Sequence, residues 1–311
     1  MPVLAALVFC ARAGAASRTF QVPCIPGQAS PICFAEDATV VAVDDGDTID
    51  VRIPGAGSRR VRMTGINATE QSVYTNHLGN QRGECHALNA NNLLSSLIDR
   101  SHGQVRLLYQ NRLTRAGVRI VRDVEVFIRG SWHDANSLLV SRGQALFLSN
   151  RTEFAWNHQY NVLAQQAAQK GLGLFDTTFC GFGPDQDIPI RVTAHPNPAG
   201  DDQLNVNGEY VRVANEGARP LDLSGWWVRN AATRRFYFPA GSSVPAGKQI
   251  TVHVGRGTDT PSTFYWGLRA PIFVNPTHDE KAIGGGAYLF DPQGDLRAWD
   301  LYPCLVACPS T

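Results

Sequence analysis

The hydrophobic patterning changes character near Cys180, and that change limits the possible folds more than any other feature. Between Thr39 and Lys170, strand-like apolar runs are interleaved with stretches of helical period. From Ile190 onward, short strand-like runs recur every roughly 10–20 residues between Gly and Pro turns, with almost no helical period. A chain of 311 residues has room for two domains. Hydrophobic residues make up 43% and charged residues 18%, enough for each half to bury a core and too little charge for a disordered chain. No apolar run of about 20 residues follows the N-terminus, so no transmembrane segment is expected in the mature chain.

In the first half, residues 40–43, 48–53 and 59–66 read as strands separated by turns at DDGD and PGAG. Helical stretches are expected over Cys85–Ile98, Ala135–Gly143 and Phe154–Lys170, with strands at 105–109 and 124–128 between the first two. That order suits a small barrel decorated by helices. In the second half, IRVTAH, EYVRVANEG, GWWVRN, RFYFP, QITVHVG and AYLFD read as strands of an all-β sandwich.

Residues 1–16 are expected to be a signal peptide: VLAALVF is too short to span a membrane, and Ala13-x-Ala15 suits signal-peptidase cleavage. Removal leaves Cys24, Cys33, Cys85, Cys180, Cys304 and Cys308, an even set that in an exported chain points to disulfides. Local spacing favours Cys24–Cys33 and Cys304–Cys308, leaving Cys85–Cys180. A zinc site is the runner-up and lacks two CxxC pairs or a suitable His pair. The protein is therefore expected to be secreted or extracellular.

Formal charge is +1, which does not mark a strongly basic polyanion binder. Residues 1–180 carry 17 basic against 14 acidic side chains, and residues 181–311 carry 11 against 13.

The chemistry-bearing residues lie in the first half. Asp45-Gly46-Asp47-Thr48 is an acidic turn entering a strand; Arg62 lies on the next strand, and Asn67 and Glu70 follow. Carboxylate and amide oxygens suit Ca²⁺. Two guanidinium groups suit a phosphodiester, and a lone Glu can take a proton from water. Singly, each has a plain reading as a hairpin turn or a solvated charge. Tyr109 and Trp132 are candidates to stack on bases, with core packing the equal alternative. His77, His86, His102, His133 and His158 match no metal-ligating spacing.

In order and spacing, VVAVDDGDTIDVRI…RRVRMTGINATEQ resembles the staphylococcal-nuclease-like (thermonuclease) family. The resemblance continues through Gly83-Glu84, Arg122 ahead of VEVFI, Asn136-x-x-Leu139-Val140-x-x-Gly143 and the closing KGLGLF, and covers residues 37–176. It implies an OB-fold five-stranded barrel with three helices and a calcium-dependent, sugar-nonspecific nuclease that cuts DNA and RNA to 3′-phosphate ends. It implies Asp47, Asn67 and the Ala68 carbonyl as metal ligands, Arg62 and Arg122 as phosphate-binding catalytic groups and Glu70 as general base. Arg112, Arg115 and Arg119 are rivals for the second arginine. Asn67 stands where Asp is expected, so the site loses a charge: Ca²⁺ binding is expected to weaken about tenfold or more, or the preference to move to Mn²⁺ or Mg²⁺. Thr69 replaces a usual Pro, and SVYTNHLGNQRGEC is unusual for the family.

The second half resembles the lamin-tail family in Gly208-Glu209-Tyr210-Val211, Asn215-x-Gly217, Leu221-Asp222-Leu223-Ser224-Gly225-Trp226 and Pro245-x-Gly247. That implies an immunoglobulin-like β-sandwich acting as a binding or anchoring module for a cell-envelope or nucleic-acid ligand. The expected organisation is a signal peptide at 1–16, a Pro/Ser-rich tether at 17–36, the nuclease-like domain at 37–180, a linker at 181–188, the sandwich at 189–303 and a Cys-containing tail at 304–311. The rival readings are a noncatalytic nucleic-acid-binding OB module and an envelope-anchored adhesion protein.

Overall fold

The computed structural model describes residues 19–28, 30–71, 83–181, 183–276 and 283–308. The expected signal peptide, Cys10, His77 and most of SVYTNHLGNQRGEC lie outside them.

The first unit contains strands β1 (Thr19–Pro23), β2 (Ile32–Asp45), β3 (Thr48–Ile53), β4 (Gly57–Met63), β5 (Ile66–Ala68), β6 (Gln104–Tyr109), β7 (Arg115–Ala116), β8 (Arg119–Ile128), β9 (Ser131–Asp134) and β10 (Ala145–Phe147). Its main helices are α1 (Ala87–Arg100), α2 (Ala135–Ser141) and α3 (Asn157–Gln169), within the three expected helical stretches apart from the last two residues of α1. Pairings run β2–β3–β4–β8–β6, and β6 pairs back onto β2; β4–β8 is parallel and its neighbours in this circuit are antiparallel. Ile49, Val51, Val61, Leu107, Val124 and Val126 point inward, and Leu94, Leu97 and Leu139 pack against them from the helices.

The stretch expected as a tether is instead a hairpin. β1 pairs with the start of β2 in register Thr19↔Glu36 to Pro23↔Ile32, and the Cys24–Cys33 disulfide closes its turn. Pro23, Pro26 and Pro31 obscured the alternation that sets Phe20 and Val22 on one face with their partners Ala35 and Cys33. Cys85–Cys180 and Cys304–Cys308 are also joined. The six described cysteines therefore pair as their spacing favours, leaving no thiolate for zinc.

The second unit contains β11 (Ile190–His195), β12 (Tyr210–Asn215), β13 (Leu221–Asp222), β14 (Trp227–Asn230), β15 (Arg235–Tyr237), β16 (Ser243–Val244), β17 (Gln249–His253), β18 (Thr263–Tyr265), β19 (Gly285–Phe290) and β20 (Leu296–Tyr302). Two four-stranded sheets, β11-β12-β17-β18 and β15-β14-β19-β20, enclose a core of Val211, Val213, Trp226, Val228, Ile250, Val252 and Leu289.

The outer face of the second sheet is also buried. Trp227 and Phe290 stack at 5.6 Å, and with Tyr288 and Leu296 they pack on Leu146, Ala167, Leu174 and Phe175 of the first unit. This is why β14 and β19 are buried at every position rather than alternating. The expected linker is docked as well: Arg219 pairs with Asp185 and Asp187, and Arg297 donates to the carbonyls of Pro184 and Asp185. Past β20 the chain returns to α3, where Gln165 accepts from the Leu305 N–H and donates to the Pro303 carbonyl.

Beneath α3 lies a buried acidic cluster. The Tyr160 hydroxyl is 2.5 Å from Asp123 Oδ1 and 2.9 Å from Asp134 Oδ2, yet it has one proton to donate. Burial pushes Asp134 up to about 6 and raises Asp123 well above its ordinary value; burial, then the charge of Asp134, pushes Glu125 up to about 7. Between about pH 4 and 7 the folded state thus holds protons the unfolded chain releases, so stability falls as pH rises through that window. Urea unfolding is expected to show the chain ~2 kcal/mol more stable at pH 5 than at pH 8. A midpoint that is flat or rises between those pH values counts against this account.

Candidate active site

Asp47 sits in the turn between β2 and β3, pressed onto α1. A Cβ on Gly46 would meet the Cβ atoms of Ala90 and Ala68 at 2.6 and 2.7 Å, so only glycine lets the turn approach this closely. Both oxygens of the Asp47 carboxylate are held by protein groups. Oδ1 accepts from the Thr48 hydroxyl at 3.0 Å; Oδ2 accepts from the Ala68 N–H at 2.8 Å and pairs with Arg62 Nη1 at 2.7 Å. Burial pushes its pKa up to about 6, with Arg62 opposing the rise.

Register decides which arginines share a face. Thr48 pairs with Arg62, and Arg62 with Val121, so Arg62 and Val121 point to the outer side of the sheet. Arg119, two residues before Val121, points the same way, and its Nη1 lies 3.4 Å from Thr48 Oγ1. Arg122 is paired with Met63 and points to the opposite side. There its guanidinium lies 3.9 Å from the Tyr109 ring centroid and 3.6 Å from Glu36. The structure therefore brings Arg62 to Asp47 and Arg119 to its neighbour Thr48, and does not bring Arg122, the arginine favoured by spacing. Counting back from VEVFI gave the right strand and the wrong side of it. Tyr109 is buried beneath Arg122 and presents no face to a base, whereas Trp132 packs against Phe127 and Arg106.

Glu70 follows Ala68 by two residues. Its N–H donates to Glu84 Oε2 at 2.8 Å, and its carbonyl accepts from the Glu84 N–H at 2.9 Å. Burial, then the charges of Glu84 and Asp45, raises its pKa, while Arg229 and Arg235 oppose the rise.

Asn67, on β5, is buried, and its Oδ1 accepts a 2.8 Å hydrogen bond from Arg229 Nη2. Arg229 belongs to β14 of the second unit. It is 0% exposed and also reaches Glu84 at 3.4 Å and the carbonyls of Asn230 and Ala231. Arg235, its cross-strand neighbour, pairs with the same Glu84 carboxylate. Gly294, at φ +86°, packs so closely that a Cβ there would lie 3.2 Å from the Glu84 Cα, and its carbonyl accepts from the Cys85 N–H. The sequence reading missed Glu84, Arg229 and Arg235. Glu84 entered only as part of the Gly83-Glu84 resemblance. The available signal was Arg229 itself, a charge inside the apolar run GWWVRN, which demands a buried partner.

The donor set implied for a divalent ion does not fit one here. Asp47 has given its oxygens to Arg62, Ala68 and Thr48, and the Asn67 oxygen faces a guanidinium. An incoming dication would lie against fixed positive charge on two sides.

A family model, the Lamin Tail Domain, matches residues 189–302. Those residues are a lamin tail domain. No nuclease family model matches the first unit, and no curated protein matches the chain. The lamin tail domain thus supplies one whole side of the cluster around Asn67 and Glu84. None of the described helices is long and apolar enough to cross a membrane.

Proposed function

We propose that residues 37–180 are a thermonuclease-like OB-fold unit of an exported enzyme that hydrolyses the phosphodiesters of DNA and RNA. The order of pairings supports the OB-fold reading: with β2 as first strand the ring runs first, second, third, fifth, fourth and back to first, parallel between third and fifth. The observation that carries the reading is the placing of two guanidiniums, Arg62 and Arg119, on one outer face, linked through Asp47 and Thr48. Glu70 follows on the same connection with its pKa raised.

The arginines hold the non-bridging oxygens of a phosphodiester, where charge builds in the transition state. Glu70 takes the proton of the attacking water. The water oxygen bonds to phosphorus and the bond to the 5′-oxygen breaks, leaving a 3′-phosphate; the 5′-oxygen takes its proton from solvent. The chemistry needs no 2′-hydroxyl, so DNA and RNA both serve. Three disulfides support export. With one sheet of the lamin tail domain committed to the first unit, an envelope or nucleic-acid ligand falls to the sheet β11-β12-β17-β18.

The second reading, a noncatalytic nucleic-acid-binding module, is favoured by the bond from Arg229 to Asn67. Digestion of plasmid and RNA by the full chain separates the two. Arg62→Ala and Arg119→Ala are each expected to slow cleavage by roughly a hundredfold, whereas Arg122→Gln is expected to change it by less than about tenfold. Retained binding with no cleavage by the native chain supports the second reading.

A further inference from the structure

The position where the resemblance places a second metal carboxylate is already occupied by a cation that the chain itself supplies. Asn67 Oδ1 accepts from Arg229 at 2.8 Å, and Arg229 is fully buried. Glu84 neutralises it from one side, and the carbonyls of Asn230 and Ala231 take further N–H groups. The amide at position 67 gives this neighbour a neutral acceptor, while Glu84 divides its single charge between Arg229 and Arg235. The loss of charge at Asn67 and the arrival of Arg229 are thus one arrangement, assembled only when the lamin tail domain docks through Trp227, Tyr288 and Phe290.

We propose that Arg229 is a resident cation standing in for a divalent ion, so that the full chain takes no Ca²⁺ at Asp47 and Asn67 and the lamin tail domain is a structural part of the site. Its consequence for cleavage rests on the nuclease reading; its consequence for ion binding does not. Arg229 acts here as a positioning residue, holding Asn67 and Glu84, and through Glu84 the backbone of Glu70.

The test is calorimetric titration of the full chain with Ca²⁺, repeated with Tb³⁺ luminescence. The native chain is expected to show no binding that Asp47→Asn removes. Asn67→Asp is expected to leave Ca²⁺ binding unchanged and to raise the melting temperature, because the new carboxylate pairs with Arg229. Arg229→Gln combined with Asn67→Asp is expected to gain Ca²⁺ binding at least tenfold over the native chain, lost again on Asp47→Asn. Cleavage by the native chain is expected to survive EDTA within about twofold. Binding of Ca²⁺ to the native chain that depends on Asp47 overturns the proposal even if the double variant does not fold, as does an Asn67→Asp chain that gains Ca²⁺ affinity with Arg229 in place. A chain that cleaves nothing removes the nuclease reading, and the titration still decides the ion question.

Discussion

Glu84→Ala is expected to cost about 3–5 kcal/mol of stability, because it strips the carboxylate from two guanidiniums, one of them fully buried. The buried pair is weak in net terms; the penalty comes from leaving Arg229 charged and unmatched where water does not reach. Burial already pulls the Arg229 pKa below its ordinary value, with Glu84 the main opposing influence. The loss is expected at the seam between the two units, since Glu84 also fixes the Glu70 N–H. Urea unfolding measures it. Glu84→Gln combined with Arg229→Met, which removes both charges at similar volume, is expected to recover at least half. A loss below about 1 kcal/mol for Glu84→Ala means Arg229 has another counter-charge, and the electrostatic account of the seam fails.

Glu70→Gln is expected to lower cleavage by roughly 10²–10⁴-fold while leaving nucleic-acid binding within a few-fold. The group must be ionised to accept a proton. In the native chain the rate is therefore expected to rise with pH through a value above the ordinary carboxylate range and then level off. The glutamine variant is expected to lose that rise. Native activity whose pH profile is unaltered in Glu70→Gln assigns the proton transfer to another group.

The turn at Asp47, the side of Arg62 and the Cys24–Cys33 and Cys304–Cys308 pairs were legible because each is local, and Cys85–Cys180, separated by 95 residues, followed as the remaining pair. A turn sequence, a period of two and short chain separations carry them. The sandwich was legible for the same reason, its core at Leu221, Leu223 and Trp226 coinciding with the residues that carried the resemblance. Two errors followed from reading composition in place of pairing. Pro-containing residues 19–23 became a strand because residues 32–36 offered a partner and a disulfide closed the turn. Arg122, expected beside Arg62, faces the other way because a shift of one residue turns a side chain to the other face, and only the register of β4 on β8 fixes that.

The sequence by itself determined most of the strands and helices, because these depend on neighbours a few residues apart. Tertiary structure decided what Asn67 touches. Asn67 and Arg229 are 162 residues apart in the chain, and no periodicity or local spacing links a polar side chain on one unit to a charge buried in the other. Their meeting follows from the docking of one apolar sheet face, which removes both from water and leaves each as a ready partner for the other.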